Sequence, residues 1–195
     1  LFPGFELVHF EEAFAQEWAA AKQRCGEPLL KSGPGYLDVI YSISEALRVE
    51  RVVETGVAYG WSSFAFLMSL RNRPNARLVS VDRPYPGLHV DIIGLAIPPE
   101  LKKQWTLYRE SDRRGIPLAL ADIGEVDLVH YDSDKTYSGH RRSLPILWAS
   151  IRSGGVLICD DAGDNAGFLD FCKEVGLLPA VVKRKGKHVG ILVKP

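Results

Sequence analysis

Arg51-Val-Val-Glu-Thr-Gly-Val-Ala-Tyr-Gly-Trp-Ser-Ser-Phe64 decides how this chain folds. The β-branched pair Val52 and Val53 suits a buried strand. Gly56 and Gly60 mark a turn, and Ser62 and Ser63 ahead of the apolar run Phe64 to Leu70 predict an N-capped helix. A strand, a glycine turn and a helix N-terminus make the ligand-binding corner of a doubly wound α/β protein, where glycine lets a ligand approach the backbone. The spacing Glu54-x-Gly56-x-x-x-Gly60 is not the Gly-x-Gly-x-x-Gly that seats a pyrophosphate. An acid at the strand end repels a diphosphate and suits a ligand with positive charge. Two glycines alone also fit an ordinary turn, so the rest of the chain has to decide.

Outward from this stretch the pattern alternates. Strands are predicted at residues 77–82, 105–109, 126–132 and 156–159. Helices are predicted from about Pro99, near 117–121, from Tyr137 to Ile151 and near 166–175. Strands at 180–184 and 188–193 are joined by Lys185-Gly186-Lys187 as a hairpin. Upstream, Phe10, Phe14, Trp18 and Ala21 predict one amphipathic helix ending before Gly26, and Leu37, Ile40, Tyr41 and Leu47 predict a second. The expectation is one domain over 1–195. It is α/β, with a Rossmann-like, seven-stranded, doubly wound, mostly parallel sheet that ends in an antiparallel hairpin. Residues 1–48 supply helices that pack on or cap the site.

Ligands of open α/β sheets bind beyond the carboxyl ends of the strands. Acids gather there: Glu54, Asp82, Asp132 and the pair Asp160-Asp161, with Ser111-Asp112 after the third strand. Carboxylates crowded at one rim repel each other, which calls for something cationic among them. Asp82 follows Gly60 at the distance where a second-strand acid meets ribose hydroxyls.

These motifs together resemble the class I S-adenosylmethionine (SAM) methyltransferases, and more narrowly the metal-dependent O-methyltransferases of the catechol type and the natural-product sugar and phenol branch. The specific part is Val-Asp-Leu-Val-His-Tyr-Asp132-Ser-Asp134-Lys135-Thr-Tyr137 followed by Ser-Gly-Gly-Val-Leu-Ile-Cys-Asp160-Asp161. The resemblance implies SAM at Glu54, Gly56, Gly60 and Ser62, its ribose on Asp82, and its adenine near Ser111 and Asp112. Asp132 would border both the cofactor and a divalent cation such as Mg²⁺, held by Asp132, Asp160 and Asp161. Hard oxygen ligands suit that ion. Lys135 aligns with the catalytic lysine of the catechol enzymes, where partial desolvation beside a metal would depress its pKa and let it accept a hydroxyl proton. The catechol enzymes carry Asp-Asn where this chain has Asp160-Asp161, and the Asp-Asp branch carries His where it has Lys135. The implied activity is O-methylation of a small hydroxylated molecule. A metal-independent N- or O-methyltransferase and a non-catalytic SAM-binding protein are the alternatives.

His130 reads as a satisfied core histidine, His140 could line the pocket, and His89 lies where a substrate wall could form. Trp61, Tyr85 and Tyr137 are candidate aromatic walls. Lys183-Arg-Lys-Gly-Lys187 reads as a solvated hairpin tip.

Composition sets limits. Hydrophobic residues make up 46% and charged residues 25%, and 24 basic side chains balance 24 acidic ones. Zero net charge offers no attraction to nucleic acid or an anionic membrane. No apolar run reaches the roughly 18 residues of a membrane span, and the first residues lack a signal-peptide pattern. Cys25, Cys159 and Cys172 fit neither a disulfide framework nor a zinc motif, so a reduced, cytoplasmic protein is expected. Monomer and homodimer are both open.

Overall fold

In the computed structural model, residues 5–27, 33–85, 87, 90–184 and 186–195 are described. Strands β1 (Arg51–Thr55), β2 (Arg77–Val81), β3 (Trp105–Tyr108), β4 (Val126–Tyr131), β5 (Ile151–Cys159), β6 (Ala180–Arg184) and β7 (Lys187–Val193) share one sheet. Their order is β3-β2-β1-β4-β5-β7-β6. The first five pair in parallel, and β7 pairs antiparallel with both β5 and β6. This is the expected α/β sheet with its terminal hairpin.

Strand periodicity sorts the core into two layers. Val52, Leu78, Leu128 and Val156 sit in register and face one way. They pack against α1 (Phe10–Ala13), α2 (Ala15–Cys25), α3 (Leu37–Ala46) and α4 (Trp61–Leu70) through Phe10, Ile43 and Phe64. Val53, Val79, Val129 and Leu157 face the other way. They meet α5 (Asp112–Ile123), α6 (Tyr137–Ser150) and α7 (Gly167–Glu174) through Ile116, Leu144 and Phe168. Each such buried side chain contributes about 1.5–3 kcal/mol.

Several boundaries moved. The first predicted helix breaks in two at Phe14, whose backbone (φ −128°, ψ 44°) is not helical. The segment from Pro99 winds as a 3₁₀ turn, Pro99–Gln104. Strand β5 starts at Ile151, five residues earlier than predicted, because a bulge with Gly154 at φ +74° lets it pair twice with β4. Helix α4 has no side-chain cap: Gly60 precedes it in the left-handed region, and the hydroxyls of Ser62 and Ser63 turn to Glu54. Of the hairpin turn, Lys185 lies outside the described residues. The three cysteines are free thiols, two of them buried. Among the described residues no helix is long and apolar enough to cross a membrane.

Candidate active site

The chain reverses direction across the sheet between β1 and β4, where a crevice opens over the strand ends. Backbone pairing continues one residue past each strand there. Asp82 N–H donates to Tyr108 (3.1 Å), Asp132 N–H to Thr55 (2.9 Å) and Asp160 N–H to Tyr131 (2.9 Å). The acids are therefore held at the rim by the sheet itself. Gly56 is needed at this point: its φ is +79°, and a Cβ would lie 2.3 Å from the carbonyl oxygen of Asp132. Gly60 (φ +81°) likewise makes room, with the Cα of Gly94 2.8 Å from where its Cβ would stand.

A cavity of about 680 Å³ occupies the crevice, within the usual size of small-molecule sites. Gly56, Val57, Ala58 and Ser62 line it, together with Asp132, Lys135 and Asp160. Trp61 and Tyr85 also line it, as do Glu11, Tyr36 and Ile40 from the N-terminal segment. Tyr137, the third candidate wall, is exposed and its hydroxyl donates to Asp170 (3.2 Å).

Glu54 is fully buried, and its two oxygens accept hydrogen bonds from Ser62 (2.5 Å), Ser63 (2.5 Å) and Ser80 (2.8 Å). Its link to the cavity runs through Ser62. Asp82 accepts from the N–H groups of Val57 (3.0 Å) and Ala58 (2.8 Å), so it shapes the loop that lines the cavity. Burial raises its pKa, and those N–H bonds oppose the rise. Burial and the neighbouring Asp82 also push the Tyr85 phenol up to about 12. Asp112 accepts from the hydroxyl of Ser133 (2.5 Å), a residue of the cavity lining, while Ser111 precedes α5 without capping it through its side chain.

Carboxylate oxygens of Asp132, Asp160 and Asp161 come within 4.8 Å of one another. The Lys135 ammonium lies among them. It donates to Asp161 and stands 2.7 Å from Asp132 and 3.9 Å from Asp160. Lys187 adds contacts of 3.1 and 3.2 Å to Asp161. Burial and the Asp160 charge raise the Asp132 carboxyl to about 6, against the pull of His130 and Lys135. Burial would raise Asp161 too, but bonds from Lys135 and Lys187 hold it below the usual range. For Lys135, burial pulls the pKa down, but the charges of Asp132, Asp161 and Asp160 outweigh burial and raise it; a cation bound among those carboxylates would offset that rise.

Three hard oxygen donors converging beside a buried Asp160 Oδ1 that has no hydrogen-bond partner fit a divalent cation.

The structure also corrects smaller readings. His130 is not satisfied: its Nδ1 has no hydrogen-bond partner, and its ring lines the cavity. His140 is fully buried with its ring against Tyr131 (5.4 Å). His89 lies outside the described residues. Lys187 is exposed at the hairpin tip, as expected, and also lines the cavity. Nothing near it in sequence signals this. Antiparallel pairing of β7 on β5, continued where Ala162 N–H meets the His188 carbonyl (2.9 Å), carries it to Asp161.

A family profile described as a methyltransferase domain matches residues 53–162, more than half of the chain. The chain belongs to the methyltransferase-domain family. The matched span opens in β1 and closes just past Asp161, so it holds the glycine loop and all three clustered aspartates. Among curated proteins none matches this methyltransferase. Solved structures share its fold at low identity. A candidate O-methyltransferase from Klebsiella pneumoniae superposes with a TM-score of 0.72 at 14% identity, covering 96% of this chain and 95% of that one. The O-methyltransferase from Bacillus cereus, in complex with S-adenosylhomocysteine (SAH), gives 0.68 at 15% over 98% and 93%. TomG from Streptomyces achromogenes, an O-methyltransferase involved in tomaymycin synthesis and solved with SAM, gives 0.65 at 16% over 97% and 96%. At these identities the likeness establishes the methyltransferase fold.

Proposed function

We propose that this methyltransferase transfers the methyl group of SAM to a hydroxyl oxygen of a small molecule, with a divalent cation such as Mg²⁺ at Asp132, Asp160 and Asp161. The observation that carries the reading is the convergence of those carboxylates beside a cavity that the glycine loop also lines. SAM supplies an electrophilic methyl on a sulfonium. The bound cation would supply a Lewis acid that lowers the pKa of the acceptor hydroxyl.

The chain's own residues do the positioning. Gly56 and the start of α4 present backbone to the cofactor, and Asp82 is assigned to its ribose, with Ser111 and Asp112 toward its adenine. Glu54 acts through Ser62 by fixing the first turn of α4. Trp61, Tyr36 and Ile40 exclude water from the acceptor. Lys135 is assigned to accept the acceptor's proton, a role that needs a bound cation to offset the aspartates that otherwise keep it charged. The fused bond geometry of sheet and loop makes catalysis chiefly a matter of orientation.

One observation favours a second reading. The Lys135 and Lys187 ammonium groups already neutralise much of the aspartate cluster, which suits metal-independent transfer. Calorimetric titration with SAH, followed by turnover of SAM with and without chelator, separates the possibilities. Absence of heat at millimolar SAH would sink the cofactor assignment, and full turnover in chelator would select the second reading.

A further inference from the structure

Lys135 stands in the loop between β4 and α6, outside regular structure. One short segment after β5 grips it by both its side chain and its main chain. The Lys135 ammonium donates to the Asp161 carboxylate. Further along that segment, Nδ2 of Asn165 donates to the Lys135 carbonyl at 2.8 Å. The segment is itself well fixed. Asp161 is held at φ +49°, a left-handed conformation that a non-glycine residue keeps only where its surroundings impose it. The Asp164 N–H closes a turn on the Asp161 carbonyl at 3.0 Å.

The other atom of the Asn165 amide sets its orientation. Oδ1 accepts from the Gly167 N–H at 2.7 Å, where α7 begins, so the NH₂ group is the one turned to Lys135. Packing leaves the amide little slack, because a Cβ on Gly167 would stand 2.8 Å from Asn165 Oδ1 and 2.8 Å from the His140 Cβ. A lysine ammonium rides on a flexible four-carbon stem, so where it can reach depends on where its main chain is held. The carboxylates that hold the ammonium are those assigned to the cation, whereas the Asn165 bond involves no atom of that cluster.

We propose that Asn165 is a positioning residue for Lys135, fixing its main chain so that its amine is presented to the acceptor hydroxyl. The inference rests on the assignment of Lys135 to the acceptor's proton made above. It gives a role to a side chain outside both the glycine loop and the aspartate cluster.

The test follows hydrogen exchange of lysine ammonium groups by NMR in chelator, with Lys135→Met and Lys194→Met identifying two signals. Lys194 is the internal reference: it donates to the carbonyls of Trp148 (3.0 Å) and Ile151 (2.5 Å), at the opposite end of β5. Asn165→Asp keeps an acceptor for Gly167 and removes the donor to Lys135. It should speed exchange of the Lys135 ammonium about fivefold, the effect of one lost hydrogen bond, and leave Lys194 within about twofold. Asn165→Ser, whose hydroxyl is shorter, should do the same, and it carries the comparison should the Asp variant fail to fold. Unchanged Lys135 exchange in a folded variant, or equal acceleration at Lys135 and Lys194, overturns the proposal. Calorimetry keeps the two readings apart. Wild type that binds no SAH overturns the proposed function, whereas wild type that binds SAH and variants with unchanged Lys135 exchange overturn only the role of Asn165.

Discussion

Three aspartates surround the amine of Lys135, and their combined charge decides its protonation. Because its pKa is raised, the stability it contributes is complete below the ordinary lysine value and is lost as pH rises past the raised one. In chelator at neutral pH, Lys135→Met should lower the melting temperature and Lys135→Arg should retain most of it, since guanidinium keeps the charge. Equal losses would show that packing and not charge matters there. Asp132 follows the same sign at lower pH. Its carboxyl is raised to about 6, so the stability from its protonated form is present below about pH 4 and lost as pH climbs to about 6. Replacing it with Asn removes that titration. The melting temperature of wild type relative to Asp132→Asn should therefore fall across this window, and a flat difference would contradict the geometry. Asp82→Ala should weaken SAM binding by about 1.5–3 kcal/mol. It should also speed amide exchange at Val57 and Ala58, whose N–H groups lose their acceptor.

At the scale of elements, binding and stability separate. Thr136 caps α6 by accepting from the Gly139 N–H at 3.0 Å. Thr136→Ala should cost about 1 kcal/mol of unfolding free energy and leave SAH affinity unchanged by calorimetry. Gly56→Ala should do more, because the added methyl meets backbone and not a side chain that could swing away. The loop between β1 and α4 would have to leave the Asp132 backbone, so both denaturant stability and SAH affinity should drop. A Gly56→Ala protein that binds SAH normally would show that the loop approaches its ligand by another route.

For the molecule as a whole, the cavity joins parts distant in sequence, so ligand binding should report on global stability. The hydroxyl of Tyr36 donates to the Lys187 carbonyl at 2.7 Å, tying the N-terminal helices to the terminal hairpin across the mouth of the crevice. SAH at about a hundred times its dissociation constant adds roughly 2.7 kcal/mol. In a chain of this size that corresponds to a rise of about 5–11 °C in melting temperature. A shift near zero with saturating SAH would mean that the cavity does not hold the cofactor.

Sequence by itself determined the sheet and the rim. Alternation of Val52 with Val53, and of Leu128 with Val129, sorts side chains to the two faces with a period of two, a local property of the strand. The glycine spacing and the acids at the ends of β1, β2, β4 and β5 are likewise readable, because each depends on its immediate neighbours along the chain. Tertiary structure alone decided how those acids are answered. Lys187 reaches Asp161 only because β7 runs antiparallel beside β5, and Ser80 reaches Glu54 only because β2 lies in register with β1. It also surrounded Lys135 with carboxylates that raise its pKa and set His130 Nδ1 3.6 Å from Glu54 without a hydrogen bond. Protonation and hydrogen bonding depend on charges and donors within a few ångströms, and the fold assembles those from positions tens of residues apart.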